Sequence, residues 1–422
     1  MQIFAGVAFV AMYVLMTLFM PKRLWIVLGT AVLFLVTGAV PLRAVPGAIN
    51  WNVLLMIAGT MVLVYYFIKS KMPNQIADWL LDKAPDVMWV IIFMSLFAGV
   101  ISAFVDNVAT VLMVAPVGMA VCRKLDIDPV PMVLSIAVSS NLQGAATLVG
   151  DTTSIMLGAY AHMDFTSFFW MEGKPGIFFA VELGALATVP VMMFLFGKFR
   201  QTVDASEYCK ADDIMPSVFL VGTVVLLIMA SFIKDKRDVS NGLICCGMAI
   251  IAIFYDYMIT SDRSEIKAAL KSIDFETLGL LFGLFIVIQG LIETGIIDLI
   301  ADTIGNVGGD HIFVMYTIVV WASVLFSAFI DNIPYVATML PVVTNLTGSL
   351  GISPNLLYFG LLSGATLGGN LTPVGASANI TATGILKKEG HEVSFKEFMK
   401  IGVPFTLTAV MVGYIFIWLV WA

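Results

Sequence analysis

Charge is scarce in this sequence. Only 12% of the 422 residues are Asp, Glu, Lys or Arg, against about 25% in soluble domains. A water-soluble enzyme of one to three domains is thereby excluded. No basic tract is present, so nothing offers a footprint for nucleic acid. Histidine is limited to His162, His311 and His391, all at segment ends or in connections, and no zinc-like spacing results. The four cysteines (Cys122, Cys209, Cys245 and Cys246) have neither metal nor disulfide-framework spacing. Cys245 and Cys246 sit inside an apolar run and read as small buried residues. A cleavable leader is not expected either. The first apolar run has no basic region before it and ends in Pro21-Lys22-Arg23.

What is abundant is apolar sequence: 60% hydrophobic residues with a mean hydropathy of +0.98. The runs are long and do not alternate in short segments, so the spans are helices and not barrel strands. Apolar segments cover 3–20, 24–41, 49–68, 87–121, 129–162, 176–198, 216–233, 239–257, 275–292, 312–350, 355–386 and 402–421. Most fit one crossing of about 20 residues. The runs 87–121 and 312–350 are too long for one helix, and each is interrupted by Asp-Asn, at 106–107 and 331–332. The runs 129–162 and 355–386 carry polar, glycine-rich centres at 141–151 and 366–375. Glycine and proline weaken a helix interior, and a broken helix at membrane depth survives only where protein or a wet cavity satisfies its backbone.

The chain repeats itself. Residues 102–117 align with 327–342 at an offset of 225, with eight of sixteen identical; the same offset aligns 141–156 with 366–381. Ile49-Asn-Trp-Asn and Ile273-Asp-Phe-Glu match at an offset of 224. Three matches in one order at one spacing mean an internal duplication. The halves are 1–198 and 216–422, joined by a linker over 199–215. Each half holds five crossings plus one Asp-Asn pair of arms. Five is odd, so the second half enters from the opposite side. The expected fold is therefore an all-α polytopic membrane protein of two inverted repeats, each with five crossings, a re-entrant hairpin and a broken helix. With the N-terminus outside, inner connections hold 17 of the 22 Lys and Arg, Lys22 and Arg23 included; Arg43, Lys174, Lys234, Lys236 and Arg237 lie outside. That imbalance places both termini outside. The arm after Asn107 is expected to be only about 14 residues long, short of a crossing. Segments 73–83, 294–307 and 389–400 read as interfacial helices. Gly279-Leu-Leu-Phe-Gly283 and Gly364-Ala-Thr-Leu-Gly368 predict close helix packing.

Asp106, Asp151 and Asp331 are the residues that need a reason. A carboxylate near the bilayer centre costs about 2.5–3.5 kcal/mol even on the lenient insertion scale. One reading is that each caps a helix N-terminus. The other is a cation or proton site at the repeat interface, and one carboxylate can serve both. Asn107, Asn332, Asn141, Asn370, Thr147, Thr372 and Ser377 offer neutral oxygens in the same segments, the ligands that small hard cations prefer. Glu182 lies several residues into its segment, as a relay group or a half-buried glutamate, and Gln289 reads as an interhelical hydrogen bond. No Lys or Arg falls within a predicted crossing, which counts against an organic-anion cargo. An intramembrane aspartyl protease is excluded: Tyr255-Asp256 follows Gly150-Asp151 where the order should be reversed, and position 148 is Leu. A channel would be told from a carrier by conductance.

At these residues a resemblance emerges. Phe104-Val-Asp-Asn-Val-Ala-Thr-Val-Leu-Met-Val-Ala-Pro-Val117, Gly144-Ala-Ala-Thr-Leu-Val-Gly-Asp151 and Phe329-Ile-Asp-Asn-Ile-Pro-Tyr-Val-Ala-Thr-Met-Leu-Pro341 resemble the ion transporter superfamily. The resemblance is to its branch of arsenite permeases, NhaD-type sodium/proton antiporters and the melanosomal P protein, which share a citrate-transporter-like domain. It implies a homodimer with a scaffold and a transport domain that moves as an elevator. By position, Asp106-Asn107 and Asp331-Asn332 correspond to ion-binding hairpin tips, with Na⁺ as the metal. Gly150-Asp151-Thr152-Thr153-Ser154 and Gly375-Ala376-Ser377-Ala378-Asn379 correspond to the breaks. Two departures stand out: Asp replaces the Ser of Ser-Asn-Thr tips found in dicarboxylate members, and Gly-Asp-Thr-Thr-Ser replaces a Pro-Pro-Asn break.

The sequence thus predicts a secondary active transporter in a bacterial inner membrane, coupled to Na⁺ or H⁺, and not an enzyme. Na⁺/H⁺ antiport is the first expectation. The alternative is a cation-coupled carrier of a small anion of the citrate or dicarboxylate kind, or an arsenite efflux permease. The expected ion or substrate ligands are Asp106, Asn107, Thr147, Asp151, Thr152, Asp331, Asn332, Asn370, Thr372, Ser377 and Asn379. No organic cofactor is expected, and the partners are the bilayer, a small inorganic ion or small anion, and a second copy of the chain.

Overall fold

Apolar runs that cannot leave their backbone unpaired in lipid become helices, and helices account for most of the described residues. The structure, a computed structural model, describes residues 1–202, 210–233, 236–309 and 311–422. Cys209, Lys234 and the middle of the expected linker lie outside the described residues. The first half contains α1 (Gln2–Leu18), α2 (Arg23–Val36), α3 (Val45–Ala48), α4 (Trp51–Lys69), α5 (Met72–Asp82), α6 (Val87–Ser102), α7 (Asn107–Lys124), α8 (Val130–Gly144), α9 (Thr152–Tyr160) and α10 (Ile177–Phe196). The second contains α11 (Met215–Ser231), α12 (Ser240–Thr260), α13 (Arg263–Lys271), α14 (Phe275–Glu293), α15 (Ile296–Gly308), α16 (Ile312–Ser327), α17 (Asn332–Leu350), α18 (Asn355–Gly368), α19 (Ser377–Lys388) and α20 (Phe395–Trp421). A two-residue antiparallel ladder, Trp170–Met171 with Lys174–Pro175, sits in the connection before α10.

Among the described residues, six helices are long and apolar enough to cross a membrane: α4, α7, α10, α12, α14 and α20. Their outer faces carry large apolar side chains in the open, such as Phe194 at 87% and Leu419 at 76% exposure. A soluble fold would bury such groups; a lipid-facing one has no need to.

Four segments differ from the sequence reading. The first is α2, which ends at Val36, where Gly38, Pro41 and Pro46 replace the expected crossing with short turns. The second is α7, which runs 18 residues to Lys124, about 27 Å and longer than the arm expected. The third is 389–400, which is no separate interfacial helix: Ser394 caps a continuous 27-residue α20. The fourth is the linker, since α11 begins at Met215.

The packing repeats with the halves exchanged. α4 packs on α12 as α14 packs on α2; α6 on α8 as α16 on α18; α7 on α19 as α17 on α9. Each helix after a break therefore leans on the hairpin arm of the opposite half. Small residues permit the closest approaches. Gly364 and Gly368 press against the backbone of Val320 and Val324, and Gly283 against Val27, as the small-residue spacing predicted.

Candidate functional site

Each tip is built the same way. The chain turns from α6 into α7 at Asp106, whose Oδ2 accepts hydrogen bonds from the N–H groups of Val108 (3.0 Å) and Ala109 (3.3 Å). At the matching turn, Asp331 Oδ1 accepts from the Ile333 N–H at 3.3 Å. Both carboxylates therefore cap helices, satisfying donors that the first turn leaves free.

The breaks are held against the tips by a repeated set of contacts. Thr147 donates to the Ala103 carbonyl and accepts from the Val149 N–H; Thr372 donates to the Ala328 carbonyl and accepts from the Val374 N–H. Ser154 donates to Gly144 O at 3.1 Å, and Asn379, its counterpart, to Gly369 O at 3.0 Å. The backbone is crowded at Gly150 and Gly375. A Cβ on Gly150 would lie 2.7 Å from the oxygens of Gly144 and Ser102, and one on Gly375 would lie 2.6 and 2.7 Å from those of Gly369 and Ser327.

A buried amide network ties the halves together. Asn107 donates to Asn141 Oδ1 (2.9 Å), and Asn141 donates to Asn370 Oδ1 (2.7 Å) and Asn379 Oδ1 (2.9 Å). Asn370 donates to the Val138 carbonyl at 2.9 Å. Asp151 Oδ2 accepts from Thr153 at 2.8 Å and from Asn332 at 3.4 Å, so it too joins opposite halves.

The tips and breaks open onto a cavity of about 650 Å³. Of the predicted ligands, Asp106, Asn107, Asp151, Thr152, Asp331, Asn332 and Ser377 line it. Thr147, Asn370, Thr372 and Asn379 do not; they stand behind the breaks and hold them. The cavity also contains residues that sequence reasoning missed. Arg23 Nη1 donates to Asp331 Oδ2 at 2.9 Å and to Ser377 Oγ at 3.4 Å, while its Nε donates to Glu276 at 3.3 Å. Arg23 was assigned to a connection because it stands one residue ahead of an apolar run; being the first residue of α2, it is carried into the cavity instead. Asp274, whose counterpart Asn50 is the same kind of cap, lines the rim with Glu276. Five carboxylates (Asp106, Asp151, Asp274, Glu276 and Asp331) thus face one guanidinium. The oxygen set is mixed carboxylate, amide and hydroxyl, and among the described residues no three or more His, Cys, Asp or Glu converge as a metal cluster. Such a set suits a hard cation better than a soft one.

A second crevice, of about 450 Å³, lies between α4, α9, α14 and α17. Along α4 and α14 its lining matches that of the first cavity by position, although it contains neither tip. Asn50, Asn52 and Val53 stand where the first has Asp274, Glu276 and Thr277; Phe285, Ile288, Gln289 and Ile292 stand where it has Met61, Val64, Tyr65 and Ile68. The first cavity takes the C-terminal half of α4 and the N-terminal end of α14, the second the reverse.

A family profile described as citrate transporter (CitMHS) matches residues 11–364. The uncharacterized transporter Rv2684 of Mycobacterium tuberculosis is 30% identical over 99% of this chain and 98% of its own. The human P protein is 24% identical over 86% of this chain and 53% of its own length. Among solved structures, the YdaH transporter of Alcanivorax borkumensis superposes with a TM-score of 0.61 at 12% identity, covering 89% of this chain and 86% of that one. MtrF of Neisseria gonorrhoeae, titled among antimetabolite efflux pumps, superposes at 0.58 with 14% identity, over 92% and 83%. These two establish likeness of fold.

Proposed function

Since the chain belongs to the citrate transporter family of membrane transporters, we propose that it is a secondary active carrier that exchanges Na⁺ for H⁺. The observation that carries this reading is the cavity lining of five carboxylates against one arginine. An acidic, partly dehydrated cavity concentrates small cations and repels anions. Na⁺ and H⁺ would compete for the same carboxylates, and that competition enforces exchange.

Alternating access is supported by the two crevices, whose linings correspond along α4 and α14 and take opposite ends of these helices. Equivalent helices that offer opposite ends to two crevices are what inverted repeats supply. The tips and breaks would travel with α6–α10 and α16–α20, past the body formed by α1, α2, α4, α11, α12 and α14, as an elevator. The Lys and Arg imbalance supports both termini outside; a bacterial inner membrane is the setting of this reading, and the sequence resemblance supports a homodimer.

A second reading, a cation-coupled carrier of a small anion such as citrate or of arsenite, is favoured by the family description and by the Arg23 guanidinium inside the cavity. Vesicles separate the two. Na⁺ added outside acid-loaded vesicles should release protons without citrate or arsenite present. Asp106→Asn and Asp331→Asn should abolish that release, and since Asn also caps helices well, their loss reads as chemistry and not as unfolding. Wild-type release in both variants would overturn the proposal; release that requires citrate would move the protein to the second reading.

A further inference from the structure

The two tips are equivalent in sequence and backbone but not in what their carboxylates meet. Asp331 is 10% exposed and already carries a cation: the Arg23 guanidinium, which also touches Ser377. Ser377 itself donates to Asp331 Oδ2 at 2.7 Å. Arg23 is held from behind by Glu276 of α14, against which α2 packs, so the positive charge belongs to the body that the tips move past.

The first half offers the same ligands without the cation. Asp106 accepts only backbone N–H groups, both on Oδ2, and has no ion pair among the described residues. Thr152, the counterpart of Ser377, is 3% exposed, lines the same cavity, and its hydroxyl meets no hydrogen-bond partner among the described residues. Asp151 lines the cavity beside it, where the second half has Ala376. A hydroxyl that opens on the cavity without a protein partner is free to bond to whatever enters. The first half therefore has a carboxylate, a second carboxylate and an unpaired hydroxyl facing the space that, at the second tip, a guanidinium fills.

We propose that Arg23 is the fixed cation of the second tip, so that the cavity binds one exchangeable monovalent cation, at Asp106, Asp151 and Thr152, and not two. The inference rests on the cation reading above and narrows it. Asp331 then contributes to transport through its pairing with Arg23, and the repeat's two-fold supply of carboxylates becomes a single exchangeable site. Lysine would serve at position 23 as a weaker point charge; a neutral side chain would leave Asp331 free to take a second ion.

The test is equilibrium binding of radioactive sodium to the purified full chain in nanodiscs. The wild type should bind one sodium per chain, lost in Asp106→Asn. Arg23→Gln should bind two, returning to one in Arg23→Gln/Asp331→Asn, while Arg23→Lys stays at one. Asp331→Asn alone should keep its sodium, an arm that holds even if Arg23→Gln does not fold. Two sodium ions on the wild type, one on a folded Arg23→Gln, or loss of sodium in Asp331→Asn would each overturn the role of Arg23 and leave the cation reading standing. No sodium on any of these proteins would overturn the cation reading and the single site together.

Discussion

Asn141, in the first half, donates to the side-chain oxygen of Asn370, 229 positions later, at 2.7 Å, and both side chains are fully buried. One amide thus closes the seam between the two copies of the fold, with Asn107 and Asn379 completing its bonds.

Asn141→Ala strips a partner from Asn107, Asn370 and Asn379 at once. Each buried polar group left unpaired costs about 1–3 kcal/mol, and a network loses more than its separate pairs. The thermal midpoint of the detergent-solubilised protein should fall clearly, by the equivalent of about 2 kcal/mol or more. An unchanged midpoint would mean the amides are not joined as described.

Gly150→Ala and Gly375→Ala should each prevent accumulation of folded protein. Their Cβ atoms would stand 2.7 and 2.6 Å from backbone oxygens, which cannot swing aside as a flexible side chain can. Gly247→Ala, on α12 with nothing within 4 Å of its Cβ, should be neutral or stabilising by up to about 1 kcal/mol. Size-exclusion profiles of the three variants check this, and equal yields would contradict the crowding at the breaks.

Thr147→Val and Thr372→Val remove equivalent hydrogen bonds to Ala103 and Ala328. Each should lower stability by about 1–2 kcal/mol. Since they share no partner, the double variant should equal the sum to within about 0.5 kcal/mol. Strongly unequal single effects would show that the two breaks are not equivalent in energy, whatever their geometry.

Orientation is open to direct measurement. Alkaline phosphatase fused after Ala422 should be active in a bacterial host. A fluorescent protein inserted at Ser261, just before α13, whose Arg263, Lys267 and Lys271 are expected inside, should fluoresce. Inactive phosphatase with a dark insertion would reverse the protein in the membrane and exchange the faces on which the two crevices open.

Much of the architecture could be read from the sequence because the signals are local. The breaks at 145–151 and 369–376 fall where glycine and polar residues interrupt apolar runs, and the tips fall on Asp-Asn. The duplication likewise showed as self-similarity at one offset. The last helix escaped that reading because Lys396 and Lys400 look interfacial, yet Ser394 starts a helix that carries them straight into the apolar stretch. Among the expected ligands, Thr147, Thr372, Asn370 and Asn379 have the right chemistry and sit beside the right segments. Their side chains are spent on backbone and amide partners, and nothing in a linear pattern says which way a polar group turns.

What the sequence determined alone was the class: helices in lipid, two copies of one unit, and acidic caps at the tips. These follow from transfer energies and backbone satisfaction, which act over a few residues. What only the tertiary structure decided was that Arg23, 308 positions before Asp331 in the chain, is that carboxylate's partner, and that each break leans on the opposite copy's hairpin. Such pairings depend on how distant elements pack, and a charge one residue outside an apolar run carries no local sign that packing will draw it inside.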